Sequence, residues 1–122
     1  MQSILKTIKL LSDPTRLRIL LLLEREELSV AELQEILSTG QSSISTHLSQ
    51  MRQAGLVEDR RTGKYVIYRL PGEESRGDGF DALLGLARRA AAEIPEAARE
   101  AEALSLVLDK RRDKGRAAFD EL

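Results

Sequence analysis

Residues Gln41 to Ala54 read QSSISTHLSQMRQA. Ile44, Leu48 and Met51 recur at i, i+4 and i+7, a narrow apolar stripe that predicts a helix with one buried edge. The other positions are Gln41, Ser42, Ser43, Ser45, Thr46, His47, Ser49, Gln50, Arg52 and Gln53, polar throughout and without a single acid. A solvated helix face ordinarily carries Glu and Asp. A helix that lies against phosphate excludes them.

Upstream, Ser38-Thr39-Gly40 reads as a tight turn between two helices. Before it, Leu33, Ile36 and Leu37 give the buried face of a helix from Val30 to Leu37. Ser29 is its cap and Glu32 stands at the capping-box position. Leu28 and Val30 alternate with small residues, which permits a short strand. Glu32 and Glu35 make the outside of this first helix acidic and keep it off a groove. Further back, Asp13 and Pro14 are a start signal for a helix whose Leu17, Ile19, Leu20, Leu21, Leu22 and Leu23 are apolar nearly all round, so it belongs at a centre. Ile4, Leu5, Ile8 and Leu11 lie on one side of an N-terminal helix.

Downstream, Gly55 suits the end of the polar helix. Leu56 to Thr62 and Tyr65 to Leu70 read as two strands, with Thr62-Gly63-Lys64 as the hairpin tip, and Pro71 and Gly72 end the sheet. Tyr65 and Tyr68 are expected to be packed or half-exposed strand residues rather than stacking platforms. Residues 73–79 form a polar linker. A helix then sets Phe80, Leu83, Leu84, Ala87, Ala91 and Ile94 on one face, until Pro95 interrupts it. From Glu96, Ala97, Ala101, Leu104 and Leu108 make a second stripe, suited to dimer or core packing rather than to an effector pocket.

The fold class expected is mainly α with a small β-hairpin: a winged helix-turn-helix with extended C-terminal helices for dimerisation. Residues 1–72 are the DNA-binding domain with an N-terminal dimer helix, 73–79 the linker, and 80–122 the C-terminal helical dimerisation region. The helix from Gln41 has the right diameter for the major groove, and its N-terminal N–H groups favour phosphate. The expected DNA-binding residues are Gln41, Ser42, Ser43, Ser45, Thr46, His47, Ser49, Gln50 and Arg52, with Arg60, Arg61 and Lys64 on the wing. The dimer face is expected from Ile4, Leu5, Ile8, Phe80, Leu83, Leu84, Ala87, Ala91 and Ile94.

Bulk properties fit. The 122 residues are 42% apolar but only 3% aromatic, so the core must be aliphatic. The net charge of −1 hides an uneven split. Residues 1–72 carry ten Lys and Arg against eight acids; 73–122 carry nine against twelve, which places the basic surplus on the winged part. The longest apolar run, Ile19 to Leu23, is far too short to span a bilayer, and no signal core opens the chain, so a cytoplasmic protein is expected. No motif places a nucleophile with a base or pairs two carboxylates, so an enzyme is not expected. The competing readings are a helical interaction module that does not bind DNA and the N-terminal regulatory piece of a methyltransferase fusion.

Four stretches carry a resemblance: Ser12 to Leu20 (SDPTRLRIL), Glu27 to Leu33 (ELSVAEL), Ser43 to Leu48 (SISTHL) and Ala54 to Val57 (AGLV). In this order they closely resemble the ArsR family of bacterial winged-helix repressors, over about residues 1–94. The resemblance implies a homodimer joined through the first helix and the helix after the wing. It also implies a near-palindromic operator, released when an effector binds. His47 takes the place of the His in the family's His-Leu pair, near phosphate or supporting the helix.

Many members of that family sense metals. Their cysteines would fall where this chain has Ser29 and Ala31; their other site pairs His with acids on the dimer helix, where this chain has Asp81 and Glu93. With no cysteine and His47 the single histidine, neither a thiolate nor an imidazole cluster can be built, so no metal and no cofactor is expected. Leu106 to Arg112 (LVLDKRR) and Ala117 to Leu122 (AAFDEL) resemble the connector that joins such regulators to S-adenosylmethionine-dependent methyltransferases. That points to a small organic effector, with S-adenosylhomocysteine or S-adenosylmethionine as the candidates.

Overall fold

The structure, a computed structural model, describes residues 3–120, and their side chains as far as Lys114. The connector-like stretch 117–122 lies outside the described side chains.

Helix α1 (Ile4–Leu11) is capped by Ser3, whose hydroxyl accepts from the Lys6 N–H. Helix α2 (Pro14–Arg25) starts on Asp13, whose carboxylate accepts from the N–H groups of Thr15 at 2.8 Å and Arg16 at 3.2 Å. Strand β1 (Leu28–Ser29) leads into α3 (Val30–Leu37). Here the capping box forms in full: Ser29 Oγ accepts from Glu32 N, and Glu32 Oε1 from Ser29 N. Ser38 ends α3 in the left-handed region at φ 52°, the one non-glycine to do so among the described residues. Helix α4 (Gln41–Gln53) follows two residues later.

Helix α4 closes on a Schellman motif. Gly55 sits at φ 77°, its N–H donating to Arg52 O and that of Leu56 to Met51 O, while the Leu56 and Met51 side chains are both fully buried. Strands β2 (Glu58–Thr62) and β3 (Tyr65–Arg69) are joined by Gly63 and Lys64. Gly63 alone of the two has positive φ, the type II′ pattern that matches strand twist. The sheet order is β1-β3-β2, antiparallel throughout, with Leu28 opposite Tyr68 and Arg60 opposite Ile67.

A 3₁₀ turn (Glu73–Ser75) occupies part of the expected linker and leads to α5 (Phe80–Ala91) and α6 (Ala97–Asp120), with Pro95 between them. One hydrophobic core runs from Leu11 to Val107, with Ile19, Leu20, Leu33, Ile44, Leu48 and Leu104 at its heart. Helix α2 lies at its centre, in contact with α1, α4, α5 and α6, as its all-round apolar surface requires.

This packing divides the residues expected on the dimer face into buried and exposed groups. Phe80, Leu84, Ala87 and Ala91 turn inward and are buried within the protomer, because α2 needs a cover on that side. Leu83 and Ile94 are half-buried, whereas Ile4, Leu5 and Ile8 are exposed, together with Leu86. The stripe of α6 is likewise core: Leu104 and Val107 pack inward and α6 lies on α3.

Candidate nucleic-acid interface

Helix α4 rests on Ile44, Leu48 and Met51, all fully buried. Gln41, Ser42, Ser43, Ser45, Thr46, Gln50 and Arg52 are exposed; His47 and Ser49 are half-buried. Gln53, exposed at i+11 from Ser42, extends the outward stripe and was not among the expected residues. The helix begins on Gly40 with no side-chain cap, so the N–H groups of its first turn open outward toward an anion. Thr46 Oγ1 donates to Ser42 O at 2.9 Å, which commits its proton to its own helix and leaves its oxygen as an acceptor. Among the described residues the hydroxyls of Ser42, Ser43 and Ser45 have no partner and remain available.

His47 and Gln50 face sideways onto α2. Arg16 Nη1 donates to Gln50 Oε1 at 2.9 Å and lies 3.2 Å from His47 Nδ1. Its Nε donates to Leu10 O at 2.6 Å. A guanidinium can only donate, so a hydrogen bond here uses Nδ1 as the acceptor. Arg16 thus ties α1, α2 and α4 together and fixes the tilt of α4. Sequence reasoning assigned it no role, because its partners lie 31 and 34 residues away. Asp13 stands behind Arg16. Burial pushes its carboxyl up, but the backbone bonds from Arg16 and Thr15 and the Arg16 charge outweigh this and hold it below the ordinary value.

The wing divides its cations. Arg60 Nη2 pairs with Glu27 Oε2 at 2.9 Å, and Arg69 lies between Glu27 at 3.6 Å and Glu58 at 3.5 Å. Arg61 and Lys64 are exposed and have no acidic partner among the described residues; Lys64 Nζ lies 5.7 Å from the Tyr65 ring centroid. Strand alternation puts Arg60 and Arg61 on opposite faces. Asp59, on the Arg61 face, pairs with Arg52 of α4 at 3.4 Å, so Arg61 stands on the side of α4. Arg60 turns away toward β1.

Among the described residues no three His, Cys, Asp or Glu side chains converge as a metal site requires, and no helix is long and apolar enough to cross a membrane.

A capped, acidic helix, a tight turn, an acid-free second helix and a basic-tipped hairpin together define a winged helix-turn-helix, the class of protein that lays one helix on duplex DNA. The chain belongs to the ArsR family: the family profile described as bacterial regulatory protein, arsR family, matches residues 13–59. It is 52% identical over 63 residues to the arsenic resistance transcriptional regulator ArsR1 of Pseudomonas putida, an overlap of 51% of this chain and 49% of that protein. It is 36% identical over 104 residues to the HTH-type transcriptional regulator KmtR of Mycobacterium tuberculosis, 85% of this chain and 79% of the relative. The chain therefore spans about half of the first relative and four fifths of the second. Among solved structures, the homodimeric winged helix-turn-helix DNA-binding domain of a possible ArsR-family transcriptional regulator from Mycobacterium bovis superposes with a TM-score of 0.57. That match has 32% identity and covers 70% of this chain and 74% of the other. The relatives so named are transcriptional regulators.

Proposed function

We propose that this protein is a cytoplasmic, homodimeric, sequence-specific transcriptional repressor that leaves its operator when it binds a small organic effector. The observation that carries the reading is the acid-free exposed face of α4, flanked by Arg61 and Lys64, cations without an acidic partner among the described residues. Gln41, Ser42, Ser43 and Ser45 are the candidate base readers, joined by Thr46, Ser49 and Arg52. His47 and Gln50 orient the helix through Arg16. Arg61 and Lys64 clamp the phosphate backbone, and Arg60, held by Glu27, contributes less.

The dimer forms through the exposed apolar groups Ile4, Leu5, Ile8 and Leu86, with half-buried Leu83 beside them. Of these, Ile8, Leu83 and Leu86 line a groove of about 200 Å³ between α1 and α5. A patch of this kind on a small protein marks an interface, and the solved relative from Mycobacterium bovis is homodimeric.

The test is an anisotropy titration, over a range of salt, with duplex DNA from upstream of the protein's own gene. Lys64→Ala and Arg61→Ala are each expected to lower the salt slope by about one and to weaken binding to all sequences alike. Arg60→Ala is expected to change the slope by less. Substitutions at Ser42 and Ser45 should alter sequence preference instead. Uniform effects from both groups would remove the division between readers and clamps. For the effector, calorimetry with S-adenosylhomocysteine and S-adenosylmethionine is the first experiment; no heat with either would discard those nucleosides.

A further inference from the structure

The inner face of α6 carries Glu100, Leu104, Val107 and Arg111, at i, i+4, i+7 and i+11. The two apolar residues are buried. A polar clasp stands on either side of them. Toward the start of α6, Arg18 Nη1 donates to Glu100 Oε2 at 3.0 Å, with Glu100 only 3% exposed. Burial pushes the Glu100 carboxyl up, partly offset by Arg18. Further along, Arg111 donates through Nε and Nη2 to the two oxygens of Glu32, both at 2.6 Å. Its Nη2 also reaches Glu27 O at 2.7 Å. Lys110 pairs with Glu35 one turn farther along α3.

The partners of Arg111 are unusual surface groups. Glu32 is the capping-box acid of α3, and its Oε1 holds the Ser29 N–H at 2.9 Å. Ser29 is the last residue of β1, paired with Ile67 of the wing strand β3. Glu27 carries the carboxylate that holds Arg60 on β2 and Arg69 on β3. One guanidinium in α6 therefore grips both the entrance to α3 and the strand against which the wing is laid. Contact through Leu104 and Val107 alone would leave the rotation of α6 loosely defined. A two-pronged Arg–carboxylate contact fixes it, and such partly buried ion pairs supply geometry more than net stability.

We propose that Arg111 is a positioning residue for DNA binding: through it, α6 braces β1 and α3 so that the wing is held at a fixed angle to α4. This rests on the reading that α4 and the wing contact DNA. The brace itself is testable without DNA. In the full chain, Arg111→Ala is expected to speed amide exchange at Ser29, Ile67 and Tyr68, with α4 and α5 unchanged. Arg112→Ala, which loses only an exposed contact to Asp109 in its own helix, should leave exchange as it is. With operator DNA, Arg111→Ala is expected to weaken binding about tenfold. Lys64→Ala should then cost less in the Arg111→Ala background than in the wild type. Arg111→Lys keeps the charge, loses the fork and should fall between.

Unchanged exchange at the β1–β3 pairing would overturn the brace whatever happens with DNA. Altered exchange, with operator binding that is unaffected or strictly additive with Lys64→Ala, would overturn its role in positioning. A wild type that binds no DNA under conditions where exchange responds to Arg111 would overturn the DNA reading and the positioning role with it, and leave only the structural clasp.

Discussion

Helices α3 and α4 are separated by three residues and are built in opposite ways. Both acids of α3 are partnered, and its start is closed: a complete capping box, a two-pronged arginine on Glu32 and a lysine on Glu35. Helix α4 begins on a glycine that caps nothing, carries no acid, and leaves the hydroxyls of Ser42, Ser43 and Ser45 without partners among the described residues. Both are anchored by fully buried aliphatic side chains, so apolar packing does not distinguish them. What differs is where unsatisfied hydrogen-bonding capacity is kept. It is removed from the helix that must hold still and retained on the helix that must meet a second molecule.

The largest effect tests what the two helices share. Leu48→Ala removes a fully buried side chain between α4 and the core and should cost about 2–5 kcal/mol in urea unfolding. A loss under about 1 kcal/mol would mean that α4 is not seated as described. Next comes the contrast in capping. Ser29→Ala should cost about 1 kcal/mol, since it removes a working cap. Gly40→Asp should instead stabilise by a few tenths, because Gly40 has a capping backbone conformation and open space for a side chain. The same Gly40→Asp should weaken operator binding by placing an anion where phosphate approaches. Stability and affinity moving together in that variant would erase the contrast.

A smaller effect concerns pH. Burial raises the Glu32 carboxyl, but Arg111 and the Ser29 N–H outweigh it and bring it below the ordinary value of 4.5. A group depressed in the folded state stabilises above its unfolded pKa and loses that contribution as pH falls through its folded value. The melting-temperature gap between wild type and Glu32→Gln should therefore be full at neutral pH and close below about pH 4.5. A gap that does not narrow as pH falls would show that Glu32 does not act through its charge.

Much of this arrangement was legible locally. Asp13-Pro14, the Ser29–Glu32 box and Gly63 each decide backbone conformation within a few residues, and each acts in place. The stripe of α4 was equally plain. The sequence could not say what covers a stripe. Phe80, Leu84, Ala87 and Ala91 have the spacing of any buried face, and whether a second subunit or α2 buries them depends on the tertiary fold. The same holds for Leu104 on α6. Long-range ion pairs left no local trace: Arg111 and Glu32 are 79 residues apart. Arg60 and Arg61 are adjacent and identical in type, and only the register of β2 against β3 sends one to Glu27 and the other to the side of α4.

The most direct test places acids on the face that has none. Ser42 and Ser45 are exposed; a carboxylate at Ser42, in the first turn of α4, favours the helix, and one at Ser45 replaces serine by a better helix former. Ser42→Glu/Ser45→Glu should therefore melt no lower than the wild type. Its operator affinity, measured by anisotropy at fixed salt, should fall roughly 100-fold or more. An unaltered affinity in that folded double variant would contradict the assignment of α4 as the DNA-reading helix.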